Sequence, residues 1–249
     1  MSYQLSPRVF FCCALLSMPM LAGPAVDCAA EEIDVWIGTS NARPSQGIYH
    51  CRLNTENGRL SDPELVARTG GPGFLAMHPN GEHVYAVATH EGKPSVIAYV
   101  IKRSGDTASL QFVNSLEIGD GGAAHVSVDA TGRVLLTAQY GGGSVAAFSL
   151  ADDGSLLKQT ALIDHEGGSG VVAGRQDKPH ANWTGFSPDN QFAFVPDLGL
   201  DKVMIYRVDH DNSTIKPHGS AAVPPGGGPR HMKFHPKGKW VYVLNELAL

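Results

Sequence analysis

The stretch Gly228-Pro229-Arg230-His231-Met232-Lys233-Phe234-His235-Pro236-Lys237-Gly238, running on into Trp240-Val241-Tyr242-Val243, decides the fold. It reads as a strand, a tight turn closed by a residue that wants a positive φ, and a second strand rich in β-branched and aromatic residues. Three earlier segments share its construction. Gly71-Pro72-Gly73-Phe74 passes through His78-Pro79-Asn80-Gly81 into Val84-Tyr85-Ala86-Val87. Ala123-Ala124-His125 passes through Asp129-Ala130-Thr131-Gly132 into Val134-Leu135-Leu136-Thr137. Lys178-Pro179-His180 leads through Ser187-Pro188-Asp189-Asn190 into Phe192-Ala193-Phe194-Val195. The turn-closing residues Gly81, Gly132, Asn190 and Gly238 are 51, 58 and 48 residues apart.

Further strands follow each pair, as at Ser144–Phe148 and Lys202–Tyr206. Four strands in a repeat of about 50 residues is the period of a propeller blade. No segment sustains a 3.6-residue apolar period, so helical solenoids are excluded. A plain antiparallel sandwich would not reproduce one turn grammar four times. The expected fold is all-β, a β-propeller. Residues 31–249 then hold four blades and part of a fifth, and the last copy stops within its second strand. An unclosed ring leaves strand edges and a blade face uncovered, so the expectation is the N-terminal part of a longer ring.

The composition agrees. Of 249 residues, 43% are hydrophobic and 17% charged, enough apolar content for a large core. The net charge of −5, with no basic run, excludes a nucleic-acid footprint. Residues 1–30 carry Arg8, an apolar stretch from Val9 to Ala22, and small residues around Cys28-Ala29-Ala30. That is the pattern of a signal peptide, and it predicts an exported, periplasmic or secreted protein with no membrane attachment after cleavage, or a cytoplasmic one if the segment is not a functional signal. Cys12, Cys13 and Cys28 leave with such a signal. Cys51 then stands alone and reads as a small buried hydrophobe.

These segments resemble the lactonase seven-bladed β-propeller family, which includes propeller-type 6-phosphogluconolactonases and fungal carboxymuconate-lactonizing enzymes. The most specific pieces are Ile37-Gly38-Thr39, Lys178-Pro179-His180-Ala181, the run Val195-Pro196-Asp197-Leu198-Gly199-Leu200-Asp201-Lys202, and Gly228-Pro229-Arg230-His231 with Leu244-Asn245-Glu246-Leu247. The resemblance implies an incomplete seven-bladed ring of about four to five blades. It also implies a small-molecule lactone substrate and hydrolysis of 6-phosphogluconolactone to 6-phosphogluconate without metal or organic cofactor. It places anion binding and acid/base duties on Arg230 and Glu246, and a histidine duty at the position held here by Asn182. Asn cannot shuttle a proton near neutral pH, so either His180 substitutes or the histidine step is absent and activity is weakened or redirected.

The residues support that chemistry directly. Opening an ester needs a water, a general base, and positive charge or donors aimed at the developing oxyanion. His180, Arg230 and His125 each precede or begin an innermost strand, and they should gather at the mouth of the axial channel. The expected catalytic residues are His180, Arg230 and Glu246, with Arg230 holding an anion by its planar fork. The expected substrate-binding residues are His125, Asn182, His231 and Asn245. A simple ion pair is the alternative role for Arg230 and Glu246, and a structural one for His125. His231 and His235 lie on a strand about 13 Å apart, too far for one metal. His78, His83, His218 and His235 read as turn or surface residues. Gly141-Gly142-Gly143-Ser144 joins strands without a following helix, so it is no phosphate cradle, and no Gly-x-Ser-x-Gly elbow supplies a serine nucleophile. Two alternatives remain: a lactonizing cycloisomerase acting on a muconate-type diacid, and a non-catalytic binding propeller.

Overall fold

The computed structural model describes residues 32–40, 45–105 and 107–248. The segment expected to act as a signal, with Cys12, Cys13 and Cys28, lies outside the described residues. No helix among the described residues is long and apolar enough to cross a membrane.

Among the described residues, seventeen strands form five antiparallel sheets. The first contains β1 (Glu32–Ile37), β2 (Gly47–Asn54) and β3 (Glu64–Arg68). Three four-stranded sheets follow. They are β4 (Gly70–Met77) to β7 (Thr107–Glu117), with β5 (His83–His90) and β6 (Lys93–Ser104) between; β8 (Ala123–Val128), β9 (Val134–Gln139), β10 (Ser144–Leu150) and β11 (Leu156–Asp164); and β12 (Gly185–Phe186), β13 (Phe192–Asp197), β14 (Lys202–Asp209) and β15 (Thr214–Ala222). The fifth pairs β16 (Pro229–Phe234) with β17 (Val241–Asn245). Within each sheet, strands neighbour one another in chain order. This is the blade construction the repeat required, and the fold is an all-β partial propeller.

The four turn-closing residues adopt the backbone their position demands. Gly81, Gly132, Asn190 and Gly238 have φ of 72°, 72°, 58° and 68°. Glycine takes that conformation without steric cost, and asparagine is the side chain that tolerates it best.

The core lies between blades. Ile48, Val84, Ala86 and Ile97 form one cluster between the first and second sheets. Tyr85, Val87, Leu135, Ala146 and Phe148 form the next, and Leu136, Ala138, Val145, Ala147, Val195 and Tyr206 the third. Successive residues of β5 thus serve opposite clusters: Val84 and Ala86 face one neighbour, Tyr85 and Val87 the other. A strand covered on both faces carries a continuous apolar run, and every residue of β9 and β10 is buried. Cys51 belongs to this interior, reduced and 2% exposed. On the last sheet the covering stops: Trp240, Tyr242 and Leu244 are each more than half exposed.

His83 departs from expectation. It is buried rather than a surface residue, because the Gly154 turn of the next blade packs over its ring, where a side chain at Gly154 would collide with it.

Candidate active site

Register makes the blades comparable residue by residue. Three of the innermost strands enter with a bulge: between Gly70 and Phe74, between Ala123 and His125, and between Pro229 and His231. A bulge leaves a residue out of the ladder and redirects its side chain. Arg230 is such a residue, as is Ala124 one position before His125 in its own blade.

Just after the bulge the equivalent positions converge. Phe74, His125, Trp183 and His231 each stand four residues before the first residue of the turn, His78, Asp129, Ser187 and His235. Their rings form an aromatic collar. His125 lies 3.9 Å from Phe74, 5.4 Å from Trp183 and 5.8 Å from His231, centroid to centroid, and Phe74 lies 6.4 Å from His231. The collar lines a cleft of about 1070 Å³ with Thr184, Phe186 and Leu244 also in its wall. Burial, reinforced by the positive charges of His231 and Lys233, pushes the His125 imidazole down to about 3. It is therefore neutral at any ordinary pH. Its Nδ1 accepts from the Thr184 amide at 3.3 Å, which leaves the proton on Nε2. His231 is also held below its usual range, by burial and then by Arg230 and Lys233.

A second group sits at the strand ends where chain enters the innermost strands. Glu246, directly after β17, has one carboxylate oxygen on Arg230 and the other on Arg175. Burial alone would raise the Glu246 carboxyl, but hydrogen bonds and charge from Arg175 and Arg230 hold it below the usual carboxylate range. Arg175 reaches on to the Tyr140 hydroxyl at 3.3 Å. The Tyr140 ring stacks on His180 at 4.5 Å, and its carbonyl accepts from His180 Nδ1 at 2.8 Å. A carbonyl can only accept, so Nδ1 carries the proton and Nε2 of neutral His180 keeps its lone pair.

The loop bearing His180 is fixed from beneath. Its amide donates to Asp197 Oδ1 at 2.8 Å, and Asp197 Oδ2 accepts from His165 at 2.6 Å. His165 meets the Tyr206 hydroxyl at 2.7 Å on its other side. The glycine run works by close approach: at Gly143, with φ of 82°, a Cβ would lie 2.8 Å from the Pro179 carbonyl oxygen. Absence of a side chain there lets the loop ahead of His180 settle against the neighbouring blade.

The expected residues thus divide. Arg230 and Glu246 meet, and His180 joins them through Tyr140 and Arg175. His125 and His231 belong to the collar instead. Asn182 is buried with its amide to Pro196 at 3.0 Å and its Nδ2 without a partner among the described residues. Asn245 Oδ1 is also buried without one. His235 turns away from His231, packing on Trp240 and Tyr242. No cluster of three metal-ligating side chains occurs among the described residues. Sequence reading missed Arg175, Tyr140, Phe74 and Trp183. The last two carried a signal, their shared offset from the turn. Arg175 carried none, since a 20-residue stretch without strands, 165–184, brings it to Glu246.

Arg175 and Arg230 thus share one carboxylate, and Tyr140 links Arg175 to His180. The chain matches the lactonase, 7-bladed beta-propeller family over residues 34–249 and belongs to that family. It is 37% identical over 214 residues to a 6-phosphogluconolactonase of Bacillus subtilis, covering 86% of this chain and 59% of the relative. A 6-phosphogluconolactonase of Formosa agariphila is 29% identical, with 84% and 60% covered. Among solved structures, the periplasmic gluconolactonase of Pseudomonas aeruginosa superposes with a TM-score of 0.78 at 27% identity, over 87% of this chain and 62% of that one. The chain spans about three fifths of the length of these relatives.

Proposed function

We propose that this protein opens a sugar lactone by hydrolysis, in the manner of a 6-phosphogluconolactonase. The observation that carries the reading is the Arg175–Glu246–Arg230 cluster with His180 beside it. An exposed ion pair adds little to stability, and both guanidiniums are more than two fifths exposed. Their placement therefore suits an incoming anion better than it suits the fold.

In this mechanism His180 is the base. Glu246, with both oxygens on arginines and its carboxyl held low, is a poor proton acceptor; its work is to hold the two guanidiniums in one orientation. Water attacks the lactone carbonyl carbon as His180 Nε2 takes its proton. The oxyanion develops against a guanidinium, which stabilises it by charge-assisted hydrogen bonds. The ring C–O bond then breaks, and the imidazolium returns the proton to the departing oxygen, leaving a hydroxy acid. The collar of Phe74, His125, Trp183 and His231 offers rings for the sugar to rest on.

The signal-like first thirty residues and the periplasmic relative support export, where unphosphorylated lactone is the substrate within reach. Release of acid from glucono-1,5-lactone and from its 6-phosphate, followed with a pH indicator, tests the reading. Turnover above the spontaneous rate, lost in His180→Gln with the fold kept, is expected. No excess rate, from this chain or from a longer version of it, overturns the proposal. A change in muconate absorbance without lactone opening replaces it with the cycloisomerase.

A further inference from the structure

Asp201 lies between β13 and β14 with φ of 53°, and is 6% exposed. Its Oδ2 accepts from the Gly226 amide at 2.7 Å. Its Oδ1 accepts from the Gly228 amide at 2.8 Å and from Gln176 Nε2 at 2.6 Å. Gln176 is fully buried. Its Nε2 also donates to the Leu198 carbonyl at 2.8 Å, and its Oε1 accepts from the Val172 amide at 3.1 Å.

These two side chains join three stretches of backbone: the loop before β12, the β13–β14 turn, and Pro224–Gly228. The first and the last of these lead to the ion cluster. Gln176 is the neighbour of Arg175. Gly228 is two residues from Arg230, and its carbonyl accepts from the Glu246 amide at 2.8 Å. The run Pro224-Pro225-Gly226-Gly227-Gly228 has no side chain beyond the prolines with which to anchor itself. Gly226 and Gly228 both hold positive φ. Ordering such a run costs backbone entropy at every residue. A buried carboxylate taking two of its amides is what opposes that cost.

We infer that Asp201, with Gln176, is a positioning residue that sets where the Arg175 and Arg230 guanidiniums stand about Glu246. Its effect on turnover rests on the hydrolase reading given above; its effect on the cluster does not. Burial would raise the Asp201 carboxyl, yet the amides of Gly228 and Gly226 outweigh it and keep the group below its usual range. It is therefore a carboxylate at working pH, able to accept from every donor aimed at it.

Asp201→Asn tests the inference. Asparagine tolerates the left-handed backbone and keeps the volume, but it turns an amide NH2 toward donors and so loses at least one bond. Asp129→Asn is the control. Asp129 is fully buried and likewise accepts backbone amides, those of Thr131, Arg133 and Val134, but in the β8–β9 turn at the opposite strand ends. NMR titration of the Glu246 carboxyl gives a readout that needs no substrate. Arg175 and Arg230 are the charged groups that face it, and Tyr140 faces Arg175.

In Asp201→Asn the Glu246 midpoint moves to higher pH and kcat/KM falls about tenfold to a hundredfold, the scale of a small misplacement. In Asp129→Asn the melting temperature falls while both quantities stay at wild-type values. Wild-type Glu246 titration in Asp201→Asn overturns the inference. A moved midpoint in a protein whose wild type opens no lactone keeps the inference and removes the hydrolase reading. Should Asp201→Asn not fold, Gln176→Met deletes the bridge to the Arg175 loop alone, and a smaller upward move of the same midpoint is expected; none overturns the proposal.

Discussion

His231 and Arg230 are adjacent in sequence, yet they enter two environments with opposite electrostatics. His231 joins a collar of rings in which His125 is driven to about 3 and carries no charge. Arg230, standing in the bulge, reaches a half-exposed cluster where charge is kept on every member. Burial without a counter-ion removes charge; partial burial with opposite charges retains it. One strand therefore supplies a neutral wall to the cleft and a cation to the Glu246 cluster, and the cation is the residue the ladder skips.

The sharpest way to break this contrast is to delete the base. His180→Gln should lower kcat by a hundredfold or more, the usual contribution of a positioned general base, with KM little changed. In His125→Gln kcat should fall far less, since a neutral His125 moves no proton; an equal loss in both would merge the two regions into one catalytic unit. Next in size is Arg230→Ala, which should cost about a hundredfold in kcat/KM. Arg230→Lys should recover only part of that loss, because an ammonium lacks the planar fork.

The collar is tested by stability rather than rate. Unfolded histidine, near 6.5, binds a proton more readily than His125 in the fold at about 3. Its contribution is therefore complete above pH 6.5 and is lost as pH falls toward 3, by at most about 1.4 kcal/mol per pH unit. Denaturant melts of wild type and His125→Gln across that window should differ in slope, the variant being flatter. The smallest effect separates the regions by screening. Salt raised from 0.05 to about 0.5 M should raise KM for an anionic lactone severalfold, leaving the melting temperature nearly constant.

Much of the fold was legible because a propeller blade is a local object. The turns at Gly81, Gly132, Asn190 and Gly238 each require one residue at positive φ, and apolar runs such as Val134–Ala138 announce strands covered on both faces. Register was the missing step: it puts Phe74, His125, Trp183 and His231 at one level and shows why His125 does not join His180. His83, which reads in the sequence as a turn or surface residue, is buried because its cover comes from Gly154, a turn in the following blade.

The sequence by itself determined the blade repeat and the positions of its turns, and it offered Arg230, Glu246 and His180 as candidates. Those properties depend on short-range backbone preference and on side-chain type, which any stretch of chain carries with it. Only the tertiary structure decided that Arg175 completes the pair on Glu246, that Tyr140 fixes the His180 proton, and that Asp201 ties together the loops beneath them. Each of those contacts joins stretches 25 to 71 residues apart, and the ordering of neighbouring blades, not any local pattern, sets which of them meet.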